Sequence, residues 1–385
     1  MQFRPHNYQS YCIDRLLELP AVGLFLDMGL GKTVTTLTAV KELKYHRFQV
    51  CKVLVIAPKK VAEATWSREA EKWDHLRDMR VSTVLGSRIK REKALARPAD
   101  LYVINRENVE WLVDYYRNDW PFDMVVIDES SSFKDQSTKR WKALKRVRPK
   151  IHRIVLLTGT PAPNTLIDLW AQLYLLDEGA RLGRTIGGFR ERYFQPDKRN
   201  TERVFTYKPK MGTEQAVQDL IGDICISMKA EDYLTLPECV NVDVPVVLDS
   251  KAAKAYTTME REMLLEVAED TITADTAAVL TNKLLQLAGG AVYNAEHEAQ
   301  VIHSCKIEAF LELVESLAGK SALVFYGFQH EKERILAALA KKHKNLRVRV
   351  FSGPQDEDDW NAGKIDILLA HPASTAYGLN LQQGG

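Results

Sequence analysis

The sequence predicts an α/β protein made of two doubly wound parallel-sheet lobes. Three observations lead there: the length, short apolar runs alternating with helix-length stretches, and a glycine loop set between a strand and a helix. At 385 residues the chain exceeds what one core fills comfortably, and it suits two lobes of roughly 150 to 200 residues each. With 45% apolar and 27% charged residues, a packed core can form and a wholly disordered chain is excluded.

In the first lobe the runs are AVGLFL at 21–26, KVLVIA at 52–57, LYVI at 101–104, MVVID at 124–128 and IVLL at 154–157. Continuous Val, Ile and Leu without polar alternation is the pattern of strands covered on both faces, as in a parallel sheet between helices. Residues 165–225 instead offer helices (LIDLWAQLYLL, GGFRERYF, TEQAVQDLIGDI) and no convincing buried strand, so they are expected to be a helical elaboration of that lobe. The stretch 234–248, extended and broken by Pro237 and Pro245, reads as the crossing between lobes. The expected division is therefore 1–235 and 236–385. The second part has two long helical segments from 251 and then LVFYG at 323–327, RVRVFSG at 347–353 and IDILLA at 365–370. A second parallel sheet begins there and is expected to be incomplete, since LNLQQGG at 379–385 ends the sequence just after a strand and turn.

The bulk composition narrows the remaining classes. A net charge of +2 supplies no global attraction for nucleic acid, so any such binding rests on local patches. The five cysteines Cys12, Cys51, Cys225, Cys239 and Cys305 show no CxxC or Cys–His spacing, and are expected to be free, mostly buried thiols in a reducing compartment. MQFRPHNYQSY lacks the apolar core of a signal peptide, and no run of 18 apolar residues occurs, so the expected location is cytoplasmic with no membrane partner.

DMGLGKT at 27–33, flanked by AVGLFL and VTTLTAVKEL, is strand, glycine loop, helix. Gly29 and Gly31 permit backbone angles that expose successive N–H groups of Met28, Gly29, Leu30 and Gly31, and the helix start adds its dipole. A phosphate chain fits such a cradle. Lys32 is expected to reach the β and γ phosphates and the Thr33 hydroxyl to bind Mg²⁺. The loop departs from G-x-x-x-x-G-K-[ST] in having Leu26 where the first glycine belongs. The other half of the site is MVVIDES, which puts Asp128 and Glu129 at a strand end. Asp128 is expected to hold the metal and Glu129 to orient and deprotonate the attacking water. Phosphoryl transfer needs little more than such a lysine, metal and carboxylate.

With these residues in place the chain resembles the Swi/Snf family of superfamily 2 helicases, in its compact phage and bacterial form. The resemblance extends over nearly the whole sequence and implies two RecA-like lobes using ATP and Mg²⁺. FRPHNYQ at 3–9 is similar to the Q motif, which implies that Gln9 reads the adenine edge. VLVIAPKKVAEATWSREAEKW at 53–73 is similar to the motif whose Pro-Lys turn, here Pro58 and Lys59, touches the DNA backbone. LLTGTPAPN at 156–164 resembles the motif coupling nucleotide to DNA, implying that role for Thr158, Gly159 and Thr160, and LIDLWAQLYLLDEG follows as the family's ELW-type helix. ALVFYGF and STAYGLNL resemble motifs IV and V, implying DNA contact by Phe328, Ser374 and Thr375 and coupling through Gly378.

Two departures matter. The family's DEAH-type His position is Ser131, which is expected to loosen the link between nucleotide and TGT motif. Motif VI, with its Q-x-x-x-R-x-x-R arginines, does not follow motif V, so this chain by itself is expected to bind ATP and DNA yet turn over slowly.

The resulting expectation is a monomeric DNA-dependent ATPase that translocates on double-stranded DNA with little sequence preference. The alternatives are a strand-separating helicase and a clamp that binds ATP and DNA without turnover. A nuclease finds no support in any PD…ExK-like cluster. The segment 139–153 holds Lys139, Arg140, Lys142, Lys145, Arg146, Arg148, Lys150 and Arg153 with no acid. It reads as an amphipathic helix with Trp141, Leu144 and Val147 inward, its basic face either solvated or on DNA. A second basic region, from Arg181 to Arg203, leaves the same two readings open.

Overall fold

The computed structural model describes residues 1–197, 206–233, 241–262, 264–267, 270–273, 276–317, 319–375, 381–382 and 384. The chain divides into two compact units, Met1–Pro237 and Glu238–Gly385.

The first unit is built on seven parallel strands. In chain order these are β1 (Ala21–Leu26), β2 (Val53–Ala57), β3 (Val81–Val84), β4 (Leu101–Asn105), β5 (Met124–Asp128), β6 (Arg153–Thr158) and, after a small antiparallel pair β7 (Phe194–Pro196) and β8 (Tyr207–Pro209), β9 (Cys225–Met228). Their order across the sheet is β3-β4-β2-β5-β6-β1-β9. The five predicted runs all became strands. Alternation along each sends successive residues to opposite faces. Val53, Val55, Met124, Val126, Val155 and Leu157 pack on one side beneath α1 (Asn7–Glu18), α2 (Lys32–Lys41) and α3 (Trp66–Lys72). Leu54, Ile56, Val125, Ile127, Ile154 and Leu156 pack on the other. There they meet α4 (Arg88–Ala96), α5 (Val109–Tyr116), α6 (Lys139–Val147) and α7 (Asp168–Asp177). Each such side chain withdrawn from water contributes about 1.5–3 kcal/mol.

Two strands depart from expectation. β3, VSTV, alternates half-buried and buried residues at the sheet edge, so it lacks the all-apolar run of a central strand. The elaboration at 165–225 does contain α7, α8 (Ile186–Tyr193) and α9 (Thr213–Ile221), but it also ends in β9, which pairs with β1 from Gly23↔Cys225 to Leu26↔Met228. CISM escapes notice because an edge strand needs little hydrophobic content.

In the second unit the first described residues, 241–249, carry no regular structure. Two short antiparallel pairs were not anticipated: β10 (Leu264–Val267) with β11 (Asp270–Thr273), and β12 (Ala291–Tyr293) with β13 (Ala299–Val301). They alternate with α10 (Ser250–Glu262), α11 (Ala277–Ala288) and α12 (Cys305–Ser316). Then come β14 (Ala322–Phe325), α13 (Gln329–Lys342), β15 (Val348–Val350), α14 (Pro354–Asn361) and β16 (Ile367–Ala370), forming the parallel sheet β14-β16-β15. Ile367 and Leu369 face Leu311 and Leu339, while Leu368 and Ala370 face Trp360.

The thiol expectation is corrected in part. Cys12 is buried, Cys225 and Cys305 are intermediate and Cys51 is exposed, because Cys51 lies in the turn before β2; Cys239 is outside the described residues. Among the described residues no helix is long and apolar enough to cross a membrane.

Candidate active site

In a parallel sheet the chain leaves every strand at the same edge, so the turns after β1, β6 and β5 lie side by side in that order. The glycine loop, the TGT turn and the Asp-Glu pair are thereby assembled from residues far apart in sequence.

The glycine loop holds its expected shape. Gly29 has φ +87° and Gly31, the residue before α2, has φ +74° and ψ +34°, a left-handed region that side chains resist. A Cβ at Gly31 would stand 2.5 Å from Nε2 of Gln9. Leu30 is fully buried and anchors the loop in the core, whereas Met28 is 67% exposed. Lys32 donates from Nζ to the carbonyl oxygens of Leu26 at 2.6 Å and Asp27 at 3.1 Å. Burial lowers its pKa, opposed by the nearby charges of Glu129, Asp128 and Asp27. Thr33, the next residue of α2, is half-buried. Gln9 is buried against the loop, accepting from the backbone N–H of His6 at 3.0 Å and donating to the Leu30 carbonyl at 3.3 Å.

Asp128 ends β5 in a buried position. Its Oδ2 accepts from the indole Nε1 of Trp66 at 2.9 Å, and its Oδ1 from the backbone N–H of Glu129 at 3.1 Å. Burial raises its pKa, while the bonds from Trp66 and Glu129 and the charge of Lys32 pull it down. Glu129 has φ +52° and ψ +57°, a conformation rare for a residue with a side chain. Burial, then the charge of Asp128, push its pKa up to about 7, against the cations Lys32 and Arg106.

The TGT turn lies between these two groups. Thr158 is fully buried and its Oγ1 accepts from the Thr160 N–H at 3.1 Å. A Cβ on Gly159 would sit 3.3 Å from the Leu26 carbonyl oxygen, so a larger residue would have to push the start of the glycine loop by a few tenths of an ångström.

Three contributors were not singled out from the sequence. Trp66 orients Asp128, yet spacing alone does not reveal an indole donor. Ser130 and Gln172 are both fully buried, and Ser130 Oγ donates to Gln172 Oε1 at 2.8 Å. Gln172 Nε2 in turn donates to the carbonyls of Pro161 at 2.6 Å and Asp168 at 2.9 Å. A signal for Gln172 did exist, since it is the one polar side chain among the buried residues of α7.

The residues assigned to DNA are distributed differently. Pro58 is buried after β2 and its carbonyl accepts from the Ala62 N–H at 2.9 Å, while Lys59 is 72% exposed, 3.9 Å from Glu63. In the second unit Phe328 is half-buried before α13 and stacks on His330. Thr375 donates from Oγ1 to the His371 carbonyl at 3.2 Å, and Ser374 lies in a short helix, Pro372–Thr375. Since β14 and β16 pair in parallel, the segments after them share one sheet edge. Gly378 lies outside the described residues.

Much of the basic run at 139–153 has structural work. Trp141, Leu144 and Val147 point inward as expected. Arg148 donates to the carbonyls of Ile151, Leu175 and Leu176, and Arg153 to those of Leu16, Leu17 and Leu19. Lys145 lies over the rings of Trp141 and Tyr174, and Arg146 pairs with Asp114 at 2.7 Å. In the other basic region Arg181 is held between Asp177 and Asp223.

A doubly wound parallel sheet with these turns at one edge defines the class: an α/β protein with a RecA-like lobe. The model of the SNF2-related domain matches residues 8–290, and the chain belongs to that Swi/Snf family. It is 38% identical over 390 residues to protein p41 of Acyrthosiphon pisum secondary endosymbiont phage 1, covering 100% of this chain and 84% of that protein. YwqA of Bacillus subtilis (strain 168), described as an ATP-dependent helicase/translocase, is 26% identical over 347 residues, covering 83% of this chain but only 35% of YwqA. The fold matches the Sulfolobus solfataricus SWI2/SNF2 ATPase core solved with dsDNA, with a TM-score of 0.52 and 20% identity over 96% of this chain and 78% of that one.

Proposed function

We propose that the chain is a DNA-dependent ATPase motor that moves along double-stranded DNA. The observation carrying this reading is the convergence of the left-handed glycine loop, the half-buried Lys32 and the Asp128–Glu129 pair at one edge of the sheet. Such a set suits a nucleoside triphosphate with its magnesium. The loop N–H groups and the start of α2 favour phosphate oxygens. A magnesium ion usually keeps several waters and takes one or two protein ligands, for which the Thr33 hydroxyl and the buried Asp128 carboxylate are suited. When bound, the metal supplies charge neutralisation on the phosphates.

The remaining chemistry falls to the protein. Lys32 leaves the carbonyls of Leu26 and Asp27 to meet the phosphate chain. Glu129, as its carboxylate, takes the proton of the attacking water. Gln9, placed against Leu30, offers an amide to the adenine edge. Thr158, Gly159 and Thr160 carry the change at the phosphate to the DNA track, which Pro58, Lys59, Phe328, Ser374 and Thr375 contact through the backbone. Contacts of that kind are tolerant of sequence and weaken steeply with salt.

ATP hydrolysis with and without duplex DNA tests the reading, with triplex displacement as the measure of translocation. Duplex stimulates the wild-type chain; Lys32→Ala abolishes nucleotide binding; Glu129→Gln keeps binding and loses turnover. Nucleotide binding with no hydrolysis under either condition overturns the motor in favour of a clamp.

A further inference from the structure

Every buried residue of α7 is apolar except Gln172, and nothing in the packing of an apolar helix requires an amide. A primary amide has two N–H donors and one carbonyl acceptor, and all three are in use: both donors on Pro161 and Asp168, the acceptor on Ser130. The Asp168 contact lies within the same helix, one turn earlier. The other two reach separate strand-end turns. Ser130 follows Glu129 after β5, and Pro161 follows Thr160 after β6.

We propose that Gln172 is a positioning residue whose rigid amide ties the Glu129 turn to the TGT turn, so that the two move as one. Separating them strands a buried hydroxyl, a buried amide oxygen or a carbonyl, and burial makes each costly to leave without a partner. Moving them together keeps every bond. From the TGT turn the connection continues to the glycine loop, because Gly159 lies against the Leu26 carbonyl. In this arrangement Ser130, rather than Ser131, carries the link between the acid pair and the TGT motif.

The test compares wild type, Ser130→Ala, Gln172→Leu and the double variant by amide hydrogen exchange of the full chain without ligand. Ser130→Ala is expected to speed exchange about 3- to 10-fold across residues 160–168, relative to amides of β2. The double variant is expected to match Gln172→Leu, since the pair acts as one unit. An effect of Ser130→Ala confined to residues 129–133 overturns the proposal. If Gln172→Leu fails to fold, the single serine variant still decides.

A second readout rests on the proposed ATPase function. Both variants lower the ratio of DNA-stimulated to DNA-free hydrolysis while nucleotide affinity stays within about twofold. A wild type that hydrolyses ATP with no response to DNA counts against that function, and the exchange result alone then decides the tie.

Discussion

The indole of Trp66 hands its N–H to Oδ2 of Asp128 across 2.9 Å, joining the helix that follows the Pro58-Lys59 turn to the end of β5. Both side chains are buried, so removing the donor leaves a buried carboxylate oxygen short of a hydrogen bond. Trp66→Phe keeps most of the ring and removes the N–H. The expected results are a stability loss of about 1–3 kcal/mol, a higher magnesium requirement and a clear fall in ATP turnover. Denaturant unfolding and a magnesium titration of hydrolysis check them; an unchanged magnesium requirement assigns the bond to folding only.

Glu129 gives a pH-dependent prediction for the ligand-free protein. Its folded pKa, pushed up to about 7 from 4.5, means the folded state holds a proton that the unfolded state has released between those values. Stability from this group is therefore lost as pH rises through that window. Glu129→Gln removes the ionisation, so the variant is expected to unfold later than wild type at pH 8, by on the order of 1–3 kcal/mol. The gap closes toward pH 4. Melting curves across this range are the measurement, and a gap of constant size refutes the burial account.

Gly31→Ala places a Cβ on a residue at φ +74° and 2.5 Å from the Gln9 amide. The backbone term costs about 1 kcal/mol, and the clash adds to it unless Gln9 moves. The expected outcome is a lower melting temperature and loss of nucleotide binding. Adding Gln9→Ala restores part of the stability but little of the binding, because the loop still cannot hold its left-handed turn.

Arg148 tests how the basic run is used. Its guanidinium serves three carbonyls, two of them at the end of α7, so Arg148→Met is expected to cost about 2–3 kcal/mol. Affinity for duplex DNA, measured by titration on protein that remains folded, stays within twofold. A salt slope reduced by about one with stability intact would instead place Arg148 on a phosphate.

The central strands were legible because burial on both faces writes itself as uninterrupted Val, Ile and Leu, as in VLVIA and MVVID. β3 and β9 were not, since edge strands tolerate Ser, Thr and Cys. In the candidate site, Gly29, Gly31 and Lys32 stand out in the sequence through a strand-loop-helix pattern, and Asp128 and Glu129 as paired acids at the end of an apolar strand. Trp66 and Ser130 do not, and Gln172 does only as a polar residue within an apolar helix, because a hydrogen bond between residues 62 or 42 positions apart exists only after the sheet has ordered its strands.

Glu129 also marks where this protein and its own durability part company. Its backbone sits where Asn or Gly would rest more comfortably, and its half-buried carboxylate stands beside another acid. A library screened for heat resistance alone is thus expected to discard this side chain early, and its hardiest survivors to be catalytically silent. On the proposed function, selection for a sturdier version has to keep ATP turnover as a condition at every round.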